Sequence, residues 1–370
     1  MSEWKVYKLG ELAEITSSKR IFYSEYVPKG IPFYRSKEII DLYNKREVAT
    51  ELFISEKRFK EISEKFGAPK EDDILLTSVG SLGIPYKVKP SDKFYFKDGN
   101  LTWFKDIDKN KLLPDYLMYW LTSSIGKQKL DEIAIGSTQA ALTISGLKTI
   151  GIELPSITEQ KRIASILSSL DDKIDLLNRE NATLEAMAET LFRQWFIEEA
   201  KEDWEEGKLG DLMEVKYGKD HKKLNDGTIP VFGSGGIMRY AESALYYKES
   251  VLIPRKGSLN NVMYIDEPFW TVDTMFYTEM HRPNIAKFIF HFMKGQDLEN
   301  MNVGSAVPSM TTEVLNNIPL DIPPQELFDK FEETVSAFYL KQKQNRLQIR
   351  NLSKQQDILL PKLMSNEIAL

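Results

Sequence analysis

Residues 156–195 read SITEQKRIASILSSLDDKIDLLNRENATLEAMAETLFRQW and contain neither glycine nor proline. Apolar residues recur there at alternating steps of three and four, the heptad pattern of a helix that packs against another helix. The seam positions are Ile163, Leu167, Leu170, Ile174, Leu177, Asn181, Leu184, Ala188, Leu191 and Trp195. At ~1.5 Å per residue, a helix of about 40 residues is roughly 60 Å long, which is more than one small domain needs.

A second stretch keeps this register 168 positions later, from Ile163 to Phe331. A single buried Asn is known to fix the register of paired helices. We therefore predict that Asn181 meets one of the polar positions of the second seam; the alternative is that these positions are solvated breaks. The second seam is Phe331, Val335, Phe338, Gln342, Asn345, Ile349, Leu352, Gln356, Leu359 and Leu363.

Each predicted helix follows a globular segment, and the two segments share short motifs. The first opens with Trp4 and Lys8-Leu9-Gly10-Glu11-Leu12, and the second opens with Trp204 and Lys208-Leu209-Gly210-Asp211-Leu212. A repeat this long is not a solenoid and indicates a duplicated unit. The closing motifs are Gly136-Ser137 with Ile152-Glu153-Leu154-Pro155, and Gly304-Ser305 with Leu320-Asp321-Ile322-Pro323.

The order of segments predicts an α+β protein with two mixed α/β heads and two long helices. A two-fold axis perpendicular to two packed helices makes them antiparallel, so we predict an intramolecular antiparallel coiled coil with pseudo-two-fold symmetry. The alternative is a zipper between chains, but two matched seams in one chain favour the internal pair. The predicted boundaries are 1–154 for the first head, 155–200 for the central helix, 201–322 for the second head and 323–370 for the C-terminal helix.

Within each head, apolar strands are predicted to end in turns rich in Gly and Ser. The segments 31–36 and 73–83 in the first head correspond to 228–236 and 250–260 in the second. The spacing of apolar residues predicts one amphipathic helix over 112–129 in the first head and a shorter one over 285–293 in the second.

Composition narrows the function. The 370 residues, 42% of them hydrophobic, suffice for two or three domains with cores. Cysteine is absent, the N-terminus lacks a signal-peptide pattern, and no apolar run approaches the ~18 residues of a membrane helix, so we expect a cytoplasmic protein without membrane contact. The net charge of -6 argues mildly against nucleic acid, although only the local field at a contact face matters.

The motifs of catalysis are missing. There is no phosphate-binding Gly-x-x-x-x-Gly-Lys-Ser/Thr loop and no carboxylate pair spaced for acid and base work. Three histidines, His221, His281 and His291, leave little for a metal site without cysteine. We therefore predict that the chain is not an enzyme on its own and holds no metal or cofactor.

Basic and small polar residues gather near the predicted strand-end turns. Such side chains suit phosphates and base edges, whereas the alternative for each is an ordinary solvated surface residue. The predicted nucleic-acid contacts are Lys19, Arg20, Arg35, Ser36, Lys37, Thr77, Ser78 and Ser81 in the first head, and Tyr217, Lys219, Ser234, Arg239, Arg255, Lys256, Ser258 and Asn260 in the second.

This ordered set of motifs resembles the specificity subunit of type I restriction–modification systems over the full chain. The resemblance departs from the family pattern at Gln325-Glu326-Leu327-Phe328, which leaves the start of the last helix open. It rests on the two Trp and Lys-Leu-Gly motifs, on Leu154-Pro155 with Glu159-Gln160-Lys161-Arg162-Ile163, on Ile322-Pro323-Pro324 with Phe331, and on Leu191-Phe192-Arg193-Gln194-Trp195-Phe196.

The resemblance implies a non-catalytic subunit whose heads are target recognition domains, each reading one half of a split double-stranded DNA site. It also implies that the helices set the spacing of the half-sites and bind two methyltransferase subunits carrying S-adenosylmethionine. An ATP-driven restriction and translocase subunit can join them. At ~3.4 Å per base pair, roughly 60 Å spans on the order of 17 base pairs. The alternative function is a coiled-coil scaffold with two protein-binding heads, which the acidic net charge and the long seam would also fit.

Overall fold

The computed structural model describes residues 4–136, 140–301 and 308–368. It divides into two compact units, Met1–Leu176 with Gln348–Leu370, and Leu177–Leu347. Each unit therefore contains one head and a part of both long helices. Three residues of the shared motifs, Ser137, Gly304 and Ser305, lie outside the described residues. The domain boundaries placed after residues 154, 200 and 322 stay predictions.

The first unit mixes short strands and helices. Its strands are β1 Lys5–Lys8, β2 Glu14–Thr16, β3 Tyr26–Val27, β4 Ile31–Tyr34, β5 Phe53–Ile54, β6 Ile74–Thr77, β7 Pro85–Lys87, β8 Tyr95–Phe96, β9 Leu101–Lys105 and β10 Gly151–Leu154. Its helices are α1 Leu9–Leu12, α2 Ser36–Tyr43, α3 Glu56–Phe66, α4 Pro114–Thr122, α5 Ser124–Ile133, α6 Ile144–Thr149 and the start of α7 Ile157–Arg193. A 3₁₀ turn covers Tyr23–Glu25.

Three sheets organise this head. One is an antiparallel four-stranded sheet in the order β2-β9-β6-β7, and a second has the order β3-β5-β4-β8 with β4 and β8 parallel. The third pairs β1 with β10, so that Lys5 faces Leu154. The apolar strand β6 is buried at every position because its side chains alternate between two cores, with Ile74 and Leu76 in one and Leu75 in the other.

The second unit repeats this plan in fewer residues. Its strands are β11 Glu205–Lys208, β12 Met213–Tyr217, β13 Asp226–Gly233, β14 Gly236–Ala241, β15 Ser250–Pro254, β16 Met263–Ile265, β17 Trp270–Thr271, β18 Met275–Met280 and β19 Pro319–Ile322. Its helices are α8 Leu209–Leu212, α9 Ala286–Lys294, α10 Thr312–Asn316 and most of α11 Gln325–Met364, and the end of α7 continues into a π-helical turn over Gln194–Glu198.

The sheets of the second head match those of the first. The order β12-β18-β15-β16 corresponds to β2-β9-β6-β7, the parallel pair of β13 and β17 corresponds to β4 and β8, and β11 pairs with β19 as β1 pairs with β10. The duplication predicted from the motifs is therefore a duplication of topology.

The repeated Lys-Leu-Gly-Glu/Asp-Leu motif has a physical explanation. The acidic residue accepts a hydrogen bond from the backbone N–H of the Lys that opens the motif, at 3.0 Å for Glu11 and 2.7 Å for Asp211. The two leucines of each motif are buried. A Cβ on Gly10 would lie 3.1 Å from the backbone O of Lys148, and one on Gly210 would lie 3.2 Å from that of Asn316. Glycine therefore lets this short helix pack closely on α6 or α10.

Two predictions about helices inside the heads have different outcomes. In the first head, one helix predicted over 112–129 is wrong, because α4 and α5 are separate helices. Ser123 breaks the pattern by adopting an extended backbone with ψ 162°, and its hydroxyl accepts from Gly126 N at 3.1 Å to cap α5. In the second head, α9 begins at Ala286, close to the predicted start.

The long helices pair inside each unit. In the first unit, Ile163 and Leu167 of α7 share a core with Leu363 and Met364 of α11, and Gln356 Nε2 donates to Asp171 Oδ1 at 2.8 Å. The residue later in α7 thus meets the residue earlier in α11, so the pair is antiparallel. α11 begins at Gln325, which settles the start that the sequence left open.

In the second unit the helices are antiparallel too, since Trp195 packs on Phe331 while Asn181 meets Asn345 further along α11. The predicted intramolecular antiparallel pair is therefore confirmed. Asn345 Nδ2 donates to Asn181 Oδ1 at 3.0 Å, and Gln342 Nε2 donates to the backbone O of Asn181 at 2.9 Å. Two of the three polar positions of the second seam, Gln342 and Asn345, therefore meet Asn181, and both are buried and not solvated breaks.

The seam side chains are buried or half-buried. Ile163, Leu167, Leu177, Phe331 and Val335 are buried, whereas Leu170, Ile174, Leu184, Leu191, Phe338, Ile349, Leu352 and Leu359 are half-buried. No helix in the described ranges has a stretch that is both long and apolar enough to cross a membrane.

Candidate nucleic-acid interface

In the first head, a loop that we call hub loop 1, Lys97–Asn100, joins β8 to β9 and gathers the predicted contact residues. Its hydrogen bonds reach the end of β4, the end of β6 and the segment after β2. They are Lys97 N to Tyr34 O at 2.8 Å, Ser78 N to Asn100 O at 2.8 Å, Ser36 Oγ to Asn100 O at 3.4 Å and Gly99 N to Ser17 Oγ at 3.4 Å. Three separate segments of sequence thus meet at one edge of the head.

Hub loop 2, Val272–Thr274, does the same in the second head, where it joins β17 to β18. This loop and the residues on either side of it, Thr271 and Met275, form hydrogen bonds to the ends of β12, β13 and β15. The hydrogen bonds are Val272 N to Phe232 O at 3.0 Å, Arg255 N to Thr274 O at 2.9 Å, Gly218 N to Met275 O at 3.2 Å and Lys219 N to Thr271 O at 2.8 Å. In both heads, the ends of separate strands therefore meet around one loop.

The turns after β6 and β15, which we call tip turn 1 (Ser78–Ser81) and tip turn 2 (Arg255–Ser258), are equivalent. The first residue of each donates its N–H to the residue just before β9 or β18, and its carbonyl accepts an N–H at 2.9 Å, from Leu142 or from Met310. The third residue is a glycine with positive φ, 81° at Gly80 and 89° at Gly257. The backbone is thus conserved between the heads, while Ser78-Val79 stands where the second head has Arg255-Lys256.

Two predicted contacts in the first head point into the core. Thr77 and Ser78 are buried. Thr77 Oγ1 accepts from Ile84 N at 2.9 Å, and the hydroxyls of Ser78 and Thr102 are 2.7 Å apart. Because these groups satisfy each other inside the protein, Thr77 and Ser78 are corrected to structural residues and are left out of the interface proposed below.

The predicted arginines of the first head are paired with carboxylates. Arg20 Nε lies 2.8 Å from Asp98 of hub loop 1. The guanidinium of Arg35 donates two hydrogen bonds to the buried carboxylate of Glu38, with 2.7 Å between Nη2 and Oε1. Burial would raise the pKa of Glu38, but the hydrogen bonds from the Arg35 side chain and backbone outweigh it, and the pKa is lowered. Arg35 thus stabilises the first turn of α2. Lys19, Lys37 and Ser81 are exposed, and Ser36 is half-buried.

Among the predicted contacts in the described ranges, the second head has more basic side chains outside salt bridges than the first. Lys219, Lys256, Ser258 and Asn260 are exposed. The guanidinium of Arg255 lies 5.4 Å from the centre of the exposed Tyr217 ring. Other predicted contacts are engaged: Arg239 Nη2 pairs with Asp226 at 2.6 Å, and the backbone O of Ser234 accepts from Asn261 Nδ2 at 2.7 Å.

Sequence reasoning missed the hub loops themselves. The run Asp98-Gly99-Asn100 is a turn signal that could have indicated hub loop 1, whereas Asp273-Thr274 gives a weaker signal. It also missed Phe22, which lies two residues after Arg20 and is 63% exposed. In the described ranges no three His, Asp or Glu side chains gather closely enough to hold a metal ion.

Comparison with known proteins now places these two heads in a class. The family model described as the type I restriction modification DNA specificity domain matches residues 1–186 and again 201–356. The type I restriction enzyme MjaIX specificity subunit of Methanocaldococcus jannaschii is 27% identical over 99% of this chain and 94% of its own length. The MjaVIII specificity subunit of the same organism is 24% identical over 96% and 89%.

The fold has a solved counterpart. The crystal structure of a type I restriction-modification S subunit from M. genitalium overlaps with a TM-score of 0.60 at 20% identity, covering 97% of this chain and 96% of that one. Because the specificity-domain model matches once in each half of the chain, the protein is a two-headed recognition component. It belongs to the family of type I restriction–modification specificity subunits, as the two family matches show. Such subunits are not catalytic, so the predicted lack of enzymatic activity agrees with the family, and the scaffold alternative is set aside.

Proposed function

We propose that this subunit directs a type I restriction–modification complex to a bipartite site in double-stranded DNA. Each head reads one half of the site through its hub loop and tip turn. The chain itself contributes binding and no catalysis. S-adenosylmethionine and ATP belong to partner subunits in this proposal.

One observation carries the proposal: the two heads share a backbone arrangement at the hub loop and tip turn but differ in the side chains displayed there. A shared arrangement suits a common partner such as the DNA backbone, and different side chains suit different base sequences. The tip turn begins with Ser78-Val79 in one head and with Arg255-Lys256 in the other. An asymmetric site follows, with unlike halves.

The helices are proposed to dock two methyltransferase subunits. Their pairing leaves apolar side chains uncovered, including Leu340 and Leu347, which are 58% and 48% exposed and lie two turns apart on α11. Exposed Leu176 and Met187 on α7 are of the same kind. Uncovered apolar side chains on long helices fit a surface that a partner protein buries.

Salt-dependent binding tests the proposal. We expect the complex of this chain with methyltransferase subunits to bind its duplex site with an affinity that falls steeply as salt rises, because phosphate contacts release counterions. The methyltransferase without this chain should bind the same duplex without sequence preference. Binding that is equally selective with and without the chain would contradict the proposal.

A further inference from the structure

Arg255 differs from the other predicted arginines in its partners. Arg20, Arg35 and Arg239 each pair with a carboxylate, at 2.8, 2.7 and 2.6 Å. Within the described ranges, no carboxylate lies within ion-pair distance of Arg255; its Nη1 instead donates to the backbone O of Asp273 at 3.1 Å. The charge of Arg255 is therefore not neutralised by the side chains that surround it.

The guanidinium of Arg255 is held in one orientation. One face lies over the Tyr217 ring at 5.4 Å, and the hydrogen bond to Asp273 O fixes one corner. The backbone is fixed on both sides, since the N–H of Arg255 donates to Thr274 O and its carbonyl accepts from Met310 N, each at 2.9 Å. A planar fork that is already ordered loses little entropy when it forms two further hydrogen bonds.

The surroundings favour a base over a phosphate as the ligand. Exposed Lys256 follows Arg255 in sequence, and exposed Lys219 donates its N–H to Thr271 O at 2.8 Å, next to hub loop 2. Such flexible ammonium groups suffice for phosphate contacts. Gly257, with its positive φ, turns the chain just beyond Arg255. A rigid guanidinium fork matches the O6 and N7 acceptors of guanine in the major groove.

We propose that Arg255 reads a guanine in the half-site recognised by the second head. This inference rests on the proposed function and adds to it one base and one residue. The first head has no counterpart of this contact, because the equivalent Ser78 is buried against Thr102. The guanine contact is therefore a property of one half-site only.

Sequencing of methylated sites tests the inference. Complexes containing the wild-type chain, Arg255→Lys, Arg255→Ala or Lys208→Ala are expressed in a host, and their methylated sequences are compared. Lys208 is a matched control, since it precedes β12 at the end away from Tyr217. A complex with an exchanged second head identifies which half that head reads.

We expect the wild-type half-site of the second head to contain a G·C pair. In both Arg255 variants, the preference for G·C over other base pairs at that single position should fall about ten- to a hundredfold. The Lys208→Ala complex should methylate the same sequence as the wild type. Arg255→Lys is decisive because it keeps the charge and loses the fork. Matching thermal unfolding of all variants would show that the head is still folded.

Three results would overturn the inference: a half-site without a G·C pair, full discrimination by Arg255→Lys, or a uniform loss of binding over all sequences, which marks a phosphate contact. Failure of the proposed function looks different. In that case the wild-type complex itself would show no bipartite sequence.

Discussion

At the scale of single residues, Ser78 and Arg255 begin equivalent tip turns but have different partners: the Thr102 hydroxyl for Ser78 and the backbone O of Asp273 for Arg255. Gly and Ser after an apolar strand are local signals, so tip turns 1 and 2 could be located. Whether Ser78 faces solvent depends on Thr102, which lies 24 positions away and pairs with its hydroxyl. Whether Arg255 keeps a free charge depends equally on remote neighbours such as Asp273. Local patterns cannot predict such partners.

The buried side chain of His291 should make the stability of the second head depend on pH. The Nε2 atom of His291 lies 2.8 Å from Tyr339 OH, and burial, helped by the charge of Lys294, lowers its pKa to about 4. An unfolded chain has a histidine pKa of about 6.5. Between about pH 6.5 and 4 only the unfolded chain takes up this proton. The free energy of unfolding should therefore decrease by about 1.4 kcal/mol for each unit by which the pH is lowered in this range.

Urea unfolding at pH 7, 6 and 5 measures this effect. His291→Phe should flatten the pH dependence over that range, because it removes the titrating group and keeps an aromatic ring beside Phe192 and Phe331. His281→Gln, a change at an exposed histidine of the same head, is the comparison variant. An unaltered slope in His291→Phe would disprove the assignment.

At the scale of elements, the heptad pattern predicted both long helices and their pairing, since a period of 3.5 needs only local sequence. It selected Leu191 and Trp195 but missed the buried Phe192 and Phe196. Both phenylalanines pack against Phe288 of α9 in tilted and edge-to-face arrangements, with ring centres 5.5 and 4.8 Å away. The end of α7 therefore packs on two elements at once, and a seam defined for one partner underestimates its buried face.

The Asn pair in the helices should contribute to stability. Asn345 is buried and donates to Glu180 Oε2 at 2.8 Å as well as to Asn181. Asn345→Ala leaves both acceptors without this donor, which should lower the free energy of unfolding by about 1–3 kcal/mol. Urea unfolding measures it, with the exposed Asn351→Ala on the same helix as control.

A double-mutant cycle refines this test. If Asn181 and Asn345 interact directly, the effects of Asn181→Ala and Asn345→Ala should deviate from additivity by about 0.5 kcal/mol or more. Strictly additive effects, or an equal loss in Asn351→Ala, would mean that the contact does not stabilise the pair.

At the scale of the whole molecule, the repeated motifs predicted two heads of one kind, and the matching strand orders explain why. Motif residues such as Gly10 and Gly210 are fixed by close backbone packing, so they persist in both copies. The segments between them are free to differ, as the additional α2, α3 and α5 of the first head show. Those helices carry no repeated signal and could not be inferred from the duplication.

Each head has its own core and its own hub loop, so exchanging the second head, residues 201–322, for that of a relative should change one half of the methylated sequence and leave the other half unchanged. Methylation-sensitive sequencing of the host genome reads both halves at once. The matched exchange of the first head, residues 1–154, should alter the opposite half. A change in both halves after either exchange would show that the heads do not read DNA independently, because one head's side chains would then depend on the other for their placement.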